Sequence, residues 1–200
     1  MAARVVSMAE APGVILAHAR GLRERGVVVA IGGPVGAGKS TLARALSACV
    51  LSTDDYLPDY ERVPEAERDD PGHADIPRLL QDLALLRAGR EARAPVWSYA
   101  THARSGEKVV TPAPVIVVEG IHALFGPARL AADVGVFVDA PRGVRWERWE
   151  YLESTGQRGW GVAAARAFFD GVAEPTFDAL RARYVEAAEF LVANGAGVPS

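Results

Sequence analysis

Four short apolar runs mark the chain and are typical of strands that are buried on both faces. In sequence order they are VVVAI at 27–31, CVLS at 49–52, VIVV within 114–120 and VGVFV within 134–141. None of them contains a charged residue, and each is followed by glycine or a polar residue. Runs of this length and composition predict central strands of a sheet.

Apolar residues also recur at helical spacing between and beyond these runs. The segments with this pattern are 11–25, 41–48, 76–89, 142–153 and much of 162–193. Gly89 ends one of them, and Pro175 predicts a break in the last. Strands that alternate with helices predict an α/β fold in which helices cover both faces of a parallel sheet.

Two segments depart from this alternation. Residues 54–75 are polar and rich in Asp, Glu and Pro. Residues 94–112 alternate between polar and apolar positions, which predicts a hairpin or an extended excursion from the sheet.

Composition narrows the class of protein. The chain has 200 residues, of which 50% are hydrophobic and 24% charged, so we expect one globular domain over residues 1–200. A net charge of −3 without a basic stripe argues against nucleic-acid and membrane partners. Cys49, the one cysteine, lies in an apolar run and is expected in the core. No signal peptide or membrane span is predicted, so we expect a cytoplasmic protein.

A phosphate-binding motif follows the first strand. The pattern G-x-x-x-x-G-K-[ST] is matched by Gly33, Pro34, Val35, Gly36, Ala37, Gly38, Lys39 and Ser40, and Thr41 follows. Such a loop directs backbone N–H groups at the phosphates of ATP, the lysine adds a charge, and the serine hydroxyl can bind Mg²⁺. A flexible glycine turn is the alternative, but it explains neither Lys39 and Ser40 nor the flanking strand and helix.

Carboxylates stand where two further strands end. Asp54 and Asp55 follow CVLS, and Glu119 follows VIVV. In a parallel sheet, ligands bind at the carboxyl ends of the strands, so these groups are expected near the phosphates. There a carboxylate can accept a proton from an attacking hydroxyl or hold the metal. The alternatives are an exposed turn or helix cap for one of the aspartates, and a surface strand end for Glu119.

The order of several motifs resembles the uridine kinase family. The motifs are GGPVGAGKST, LSTDDY, PVWSYATHAR, VIVVEGIHAL and VGVFVDAP, and the resemblance covers about residues 27–192. Phosphoribulokinase, nicotinamide riboside kinase and bacterial pantothenate kinase belong to the same wider group. The resemblance implies a sheet of the P-loop NTPase type. It also implies Mg²⁺-dependent transfer of the γ-phosphate of ATP to the 5′-hydroxyl of uridine or cytidine, and a possible homo-oligomer.

The resemblance also implies roles for individual residues. Asp54 takes the place of the catalytic aspartate, and Asp55 of its less critical neighbour. Mg²⁺ would be held by Ser40, Asp54 and Glu119. The acceptor would contact Asp69, through ribose hydroxyls, and the hairpin residues Trp97, Tyr99 and His102. For those aromatics the alternative is packing of a half-buried hairpin on the domain. His18, His73 and His122 receive no role.

The segment 142–168 departs from the family's arginine-rich lid. Arg148, Arg158 and Gly159 are retained, and Arg158 is the best candidate for a lid arginine. Arg145 and Arg166 are possible replacements for the arginines that are missing. The departures are Trp149, Leu152, Trp160 and Phe168, where the family has arginine or, at the last position, glutamine.

These departures leave the acceptor open. We expect an ATP- and Mg²⁺-dependent kinase for a nucleoside-like hydroxyl acceptor, with uridine or cytidine first. A kinase of the same fold for nicotinamide riboside, a sugar or a specialised metabolite is the nearest alternative. A non-catalytic nucleotide-binding protein is the alternative from another class.

Overall fold

A computed structural model describes residues 3–195 of the chain, so the predicted domain, residues 1–200, extends beyond the described part at both ends. Within residues 3–195 the chain forms eight strands and seven α-helices. The strands are β1 (Arg4–Ser7), β2 (Val27–Gly32), β3 (Val50–Ser52), β4 (Ala92–Ser98), β5 (Ala103–Val110), β6 (Val115–Glu119), β7 (Val134–Asp139) and β8 (Phe190–Ala193). The helices are α1 (Ala11–Leu22), α2 (Lys39–Leu46), α3 (Ile76–Arg87), α4 (Gly126–Leu130), α5 (Arg142–Ser154), α6 (Val162–Phe168) and α7 (Glu174–Glu186).

Six of the strands within the described range form one parallel sheet in the order β1-β8-β7-β2-β6-β3. Alternate residues of β2 enter different cores: Val28 and Ala30 pack with α3, α4 and α7, whereas Val29 packs with α1 and α2. Helices on both faces explain why the central strands β2, β6 and β7 are apolar until their carboxyl ends, and they confirm the predicted fold class. Cys49 is fully buried, as expected.

The predicted excursion is the antiparallel hairpin β4–β5, which forms a separate two-stranded sheet. Trp97, at a register shift in this hairpin, is buried in the same core as α3. The polar segment before α3 contains four short 3₁₀ turns, Thr53–Tyr56, Tyr60–Arg62, Glu65–Glu67 and Pro71–His73.

Two features differ from the predicted elements. Residues 190–193, predicted within helix-forming sequence, are strand β8, whose Phe190 and Val192 are buried between β7 and the unpredicted edge strand β1. At Pro175 the helix does not break. A π-helical turn, Phe169–Ala173, joins α6 to α7, and Pro175 lies in the first turn of α7, where a missing N–H is tolerated.

Candidate active site

The phosphate loop connects β2 to α2 and has the sharp turns that its glycines permit. Gly36 has φ +73°, and a Cβ at this position would lie 2.5 Å from the Arg145 carbonyl oxygen. From outside the loop, Arg148 donates to the Gly36 carbonyl at 2.8 Å, and the Asn194 amide donates to the Ala37 carbonyl at 2.8 Å. The loop therefore has a defined shape that residues with side chains could not adopt at Gly36.

The lysine and serine of the motif lie at the start of α2. The Lys39 ammonium is buried and donates to the Pro34 carbonyl at 2.9 Å. Burial lowers the pKa of Lys39, and the nearby charges of Glu119 and Asp54 oppose this effect. The Ser40 hydroxyl donates to Glu119 Oε1 at 3.2 Å. The start of α2, which follows the phosphate loop, is thus in direct contact with the end of β6.

Glu119 lies at the carboxyl end of β6, between β2 and β3. In the register of the sheet it is opposite Ile31 on one side and Ser52 on the other. Burial raises the pKa of Glu119, and the charge of Asp54 adds to the effect. A Cβ on the next residue, Gly120, would lie 1.9 Å from Thr53 Oγ1, so only glycine permits this approach of the two strand ends.

The adjacent aspartates have different surroundings. Tyr99 donates its hydroxyl to Asp54 Oδ2 at 2.7 Å, whereas Asp54 Oδ1 is buried without a hydrogen-bond partner among the described residues. Asp55 accepts the Trp97 backbone N–H at 2.9 Å and pairs with Lys108 at 2.7 Å. Asp55 therefore holds the hairpin, and Asp54 presents an unused carboxylate oxygen to the site.

These oxygen groups suit a small, hard cation. Mg²⁺ is held in proteins by one or two carboxylates, by phosphates of a substrate and by water. Ser40, Asp54 and Glu119 supply such donors, and the unpaired Asp54 Oδ1 is one of them. Among residues 3–195 there is no group of three or more His, Cys, Asp or Glu side chains that could hold a metal ion by itself. Phosphates of the substrate and water would therefore complete the coordination of Mg²⁺.

A cavity opens next to Asp54, and all four predicted acceptor residues line it together with Arg158. Tyr60 and Glu153 also line the cavity, although no motif in the sequence signals them. The lining consists of Val35, Asp54, Leu57, Tyr60, Asp69, Trp97, Tyr99, His102, Ile121, Trp149, Glu153, Arg158, Trp160 and Phe168.

Aromatic rings form much of the lining of this cavity. Trp160 stacks on His102 with centroids 4.6 Å apart and planes 17° from parallel, and it contacts Phe168 at 4.4 Å. Tyr60 lies 5.1 Å from Trp97 and 5.5 Å from His102. The aromatic residues at the positions where the family has arginine or glutamine thus border the cavity rather than only packing a helix on the sheet.

Arginines of the segment 142–168 differ in where their charge lies. Arg158 lines the cavity, with its guanidinium 4.5 Å from the Tyr99 ring and 5.0 Å from the Trp149 ring. Arg145 is fully buried in an ion pair with Glu174, at 2.7 Å between Nη2 and Oε2. Arg166 pairs with Asp170 at 2.6 Å. Neither Arg145 nor Arg166 lines the cavity.

Glu153 organises the turn that carries Arg158. Its buried carboxylate accepts the indole N–H of Trp149 at 2.9 Å. It also accepts the backbone N–H groups of Trp160 at 3.2 Å and Gly161 at 3.0 Å. One carboxylate thereby ties the end of α5 to the start of α6.

Asp69 and His102, which both line the cavity, have pKa values that are shifted in opposite directions. Burial, and then the charge of Asp54, raises the pKa of Asp69 to about 7. Burial lowers the pKa of His102, which therefore favours the neutral imidazole.

No helix in the described residues is long and apolar enough to cross a membrane.

Comparisons with known proteins agree with this geometry. The sequence model of the Phosphoribulokinase / Uridine kinase family matches residues 59–195. A uridine kinase of Shewanella piezotolerans is 32% identical over 169 residues, which are 76% of this chain and 79% of that protein.

Solved structures share the fold at lower identity. A possible uridine kinase from Bacillus stearothermophilus is similar with a TM-score of 0.66 and 18% identity, over 92% of this chain and 98% of that one. A putative fructose transport system kinase from Silicibacter sp. has a TM-score of 0.63 and 22% identity, over 89% and 98%. The family match and the close relative confirm the resemblance seen in the sequence: the chain belongs to the phosphoribulokinase and uridine kinase family and is a kinase that transfers phosphate to an alcohol.

Proposed function

We propose that the protein transfers the γ-phosphate of ATP, with Mg²⁺, to a hydroxyl of a nucleoside-like small molecule, with the 5′-hydroxyl of uridine or cytidine as the first candidate. One observation carries this proposal. Asp54 lines the aromatic cavity together with Val35 of the phosphate loop, and one of its carboxylate oxygens is buried without a partner among the described residues.

Each group of the site has a chemical task in this reaction. The loop and Lys39 hold the phosphates of ATP, and Arg158 neutralises charge on the phosphoryl group during its transfer. Asp54 accepts the proton of the acceptor hydroxyl, and the hydroxyl oxygen of the acceptor bonds to the γ-phosphorus. The bond between the γ-phosphorus and the β–γ bridging oxygen breaks, which releases ADP. Mg²⁺, held by Ser40 and Glu119 with Asp54, would neutralise the charge that develops on the phosphate oxygens.

The aromatic cavity supports a planar acceptor. Faces of Trp160, Tyr60 and His102 are suited to a pyrimidine ring, and a neutral imidazole can hydrogen-bond its polar edge. Asp69 lines the same cavity as Asp54, and its carboxylate is suited to binding sugar hydroxyls. The segment 142–168 would act as a lid, with Arg158 as its arginine.

A second acceptor class has one specific observation in its favour. Trp160 and Phe168 stand where the family has arginine and glutamine, and their contact at 4.4 Å makes that wall of the cavity apolar. An acceptor with fewer charged or amide groups than uridine would suit such a wall. Sugars and specialised metabolites therefore belong in the same experiment, and nicotinamide riboside is included because its pyridinium cation can lie against aromatic faces.

The experiment is a coupled assay of ADP release with Mg²⁺ over a panel of nucleosides, nicotinamide riboside and sugars. We expect turnover of uridine or cytidine and a loss of about 10²- to 10⁴-fold in kcat for Asp54→Asn, because general base catalysis contributes that much. ATP binding should persist in this variant. Asp178→Asn, an exposed aspartate on α7, is the matched control.

The other outcomes separate the alternatives. Turnover of another acceptor alone would replace the pyrimidine nucleoside. Binding of ATP without turnover of any acceptor would contradict the kinase proposal and favour a nucleotide-binding protein. Full activity of Asp54→Asn would remove Asp54 from the role of base.

A further inference from the structure

His122 is a buried polar side chain to which neither the sequence motifs nor the proposed reaction gives a task. It lies three residues after Glu119, and only 1% of its surface is exposed. Its backbone N–H reaches Thr53 Oγ1 at 3.4 Å. Neither Nδ1 nor Nε2 of its ring has a hydrogen-bond partner among the described residues. Because a buried donor or acceptor without a partner is destabilising, this arrangement indicates a partner from outside the chain.

The ring lines a small cavity behind the acceptor site. Its remaining lining is Val35, Asp69, Ile121, Ala173, Thr176, Phe177 and Leu180. Three of these residues, Val35, Asp69 and Ile121, also line the aromatic cavity. The small cavity is therefore a rear extension of the acceptor site, and Asp69 stands at the junction of the two spaces.

The chemistry of this space is specific. Burial lowers the pKa of His122 to about 4, so its ring is neutral near neutral pH. A neutral imidazole has one N–H donor and one acceptor nitrogen, and a hydroxyl group has the same two capacities. The rest of the wall is mostly apolar, and the space suits a group about the size of one water molecule.

We propose that His122 is an acceptor-recognition residue: the small cavity receives a hydroxyl of the acceptor, other than the one that is phosphorylated, and His122 holds it together with Asp69. This inference rests on the proposed function, because it requires an acceptor in the aromatic cavity. It assigns the acceptor to a class, polyhydroxylated compounds such as a nucleoside with an intact ribose. It also explains why a histidine with unpaired nitrogens is kept in the core.

The test compares acceptors that differ by one hydroxyl. kcat/KM is measured for uridine, 2′-deoxyuridine and 3′-deoxyuridine with the wild type, His122→Leu and His122→Gln. We expect His122→Leu to lower kcat/KM for uridine about tenfold, the value of one hydrogen bond. It should leave the value for the deoxynucleoside that lacks the recognised hydroxyl unchanged. His122→Gln, which keeps a donor and an acceptor, should restore part of the loss.

Folding is controlled in the same series. His122→Leu should unfold at the same temperature as the wild type or higher, because an apolar side chain replaces unpaired polar atoms. The matched control is Tyr184→Phe. The Tyr184 hydroxyl is also buried and has no hydrogen-bond partner among the described residues, but Tyr184 lines neither cavity. It should leave the values for all three nucleosides unchanged. An equal loss for all three nucleosides in His122→Leu would show a purely structural role and overturn the inference.

Failure of the proposed function gives a different result. If uridine is not a substrate, the comparison uses the acceptor that is phosphorylated fastest and its monodeoxy forms. The role of His122 in binding a hydroxyl is then tested with that acceptor. Binding is followed in parallel through the ¹⁵N shifts of the His122 ring during titration with the acceptor and with each of its monodeoxy forms. A change with the full acceptor but not with its deoxy form supports the inference without any turnover. No change with any of these compounds overturns it.

Discussion

Asp54 and Asp55 show how much two neighbouring residues of one type can differ. Asp55 is saturated, because it accepts the Trp97 backbone N–H and pairs with Lys108. Asp54 has one partner, the Tyr99 hydroxyl, and one oxygen without any among the described residues. The first arrangement stabilises the fold, whereas the second leaves a group available for chemistry.

At the residue scale we therefore expect the two aspartates to respond differently to the same substitution. Asp55→Ala should lower the free energy of unfolding by about 1–3 kcal/mol, because it leaves the Trp97 N–H and Lys108 without their partner. Asp54→Ala should change stability little and abolish turnover. Urea unfolding of both variants measures the first quantity. A stability of Asp55→Ala equal to that of the wild type would contradict this reading.

Helices α5 and α6 illustrate how one residue can position a whole element. Both helices and the turn between them pack through Trp149, Phe168 and Phe169, and Glu153 closes the turn with three accepted hydrogen bonds. Arg158 lies inside that turn, where its guanidinium contacts the Tyr99 and Trp149 rings. The placement of its charge therefore depends on Glu153.

At the element scale we expect Glu153→Ala to lower kcat about 10- to 100-fold, because a small misplacement of a catalytic group has effects of that size. The dissociation constant of ATP should stay unchanged. Glu153→Gln should restore part of the rate, since its one amide oxygen can still accept the backbone N–H groups of Trp160 and Gly161, whereas its NH2 group cannot accept the Trp149 N–H. Glu147→Ala, an exposed residue of the same helix, is the control. A parallel loss of ATP affinity and rate would indicate a general loss of structure instead.

The whole molecule brings its functional groups to one edge of the sheet. Strands β2, β6 and β3 are neighbours, so the phosphate loop, Glu119 and the Asp54 turn all follow strand ends on the same side. Ligands that bind there contact several elements at once and bind the folded state alone. Their binding free energy therefore adds to stability.

At the scale of the molecule we expect ATP with Mg²⁺, at about 100 times its dissociation constant, to add about 2.7 kcal/mol. That corresponds to a rise of about 5–10 °C in the midpoint of thermal unfolding for a chain of this length. EDTA should remove part of the rise. In Ser40→Ala the part of the rise that EDTA removes should be smaller than in the wild type, whereas the hairpin variant Ser105→Ala should behave like the wild type. An effect of EDTA in Ser40→Ala as large as in the wild type would remove Ser40 from the metal site.

Much of the fold and of the chemistry was predictable, because it is encoded over short stretches. The phosphate loop depends on glycines and a lysine within eight residues, and the central strands on short apolar runs. Strand β8 was not predictable in this way. Its four residues become a strand because β7 and β1 bury them, and those partners lie far away in the chain.

The sequence by itself determined which groups are present: a phosphate loop, carboxylates at two strand ends and an aromatic hairpin, each defined by residues next to one another. Only the tertiary structure decided which of them meet. It directed Asp54 rather than Asp55 into the site, buried Arg145 against Glu174, brought Arg158 to the cavity and enclosed His122. The physical reason is that side-chain direction and burial depend on contacts between residues distant in the chain, which no local pattern encodes.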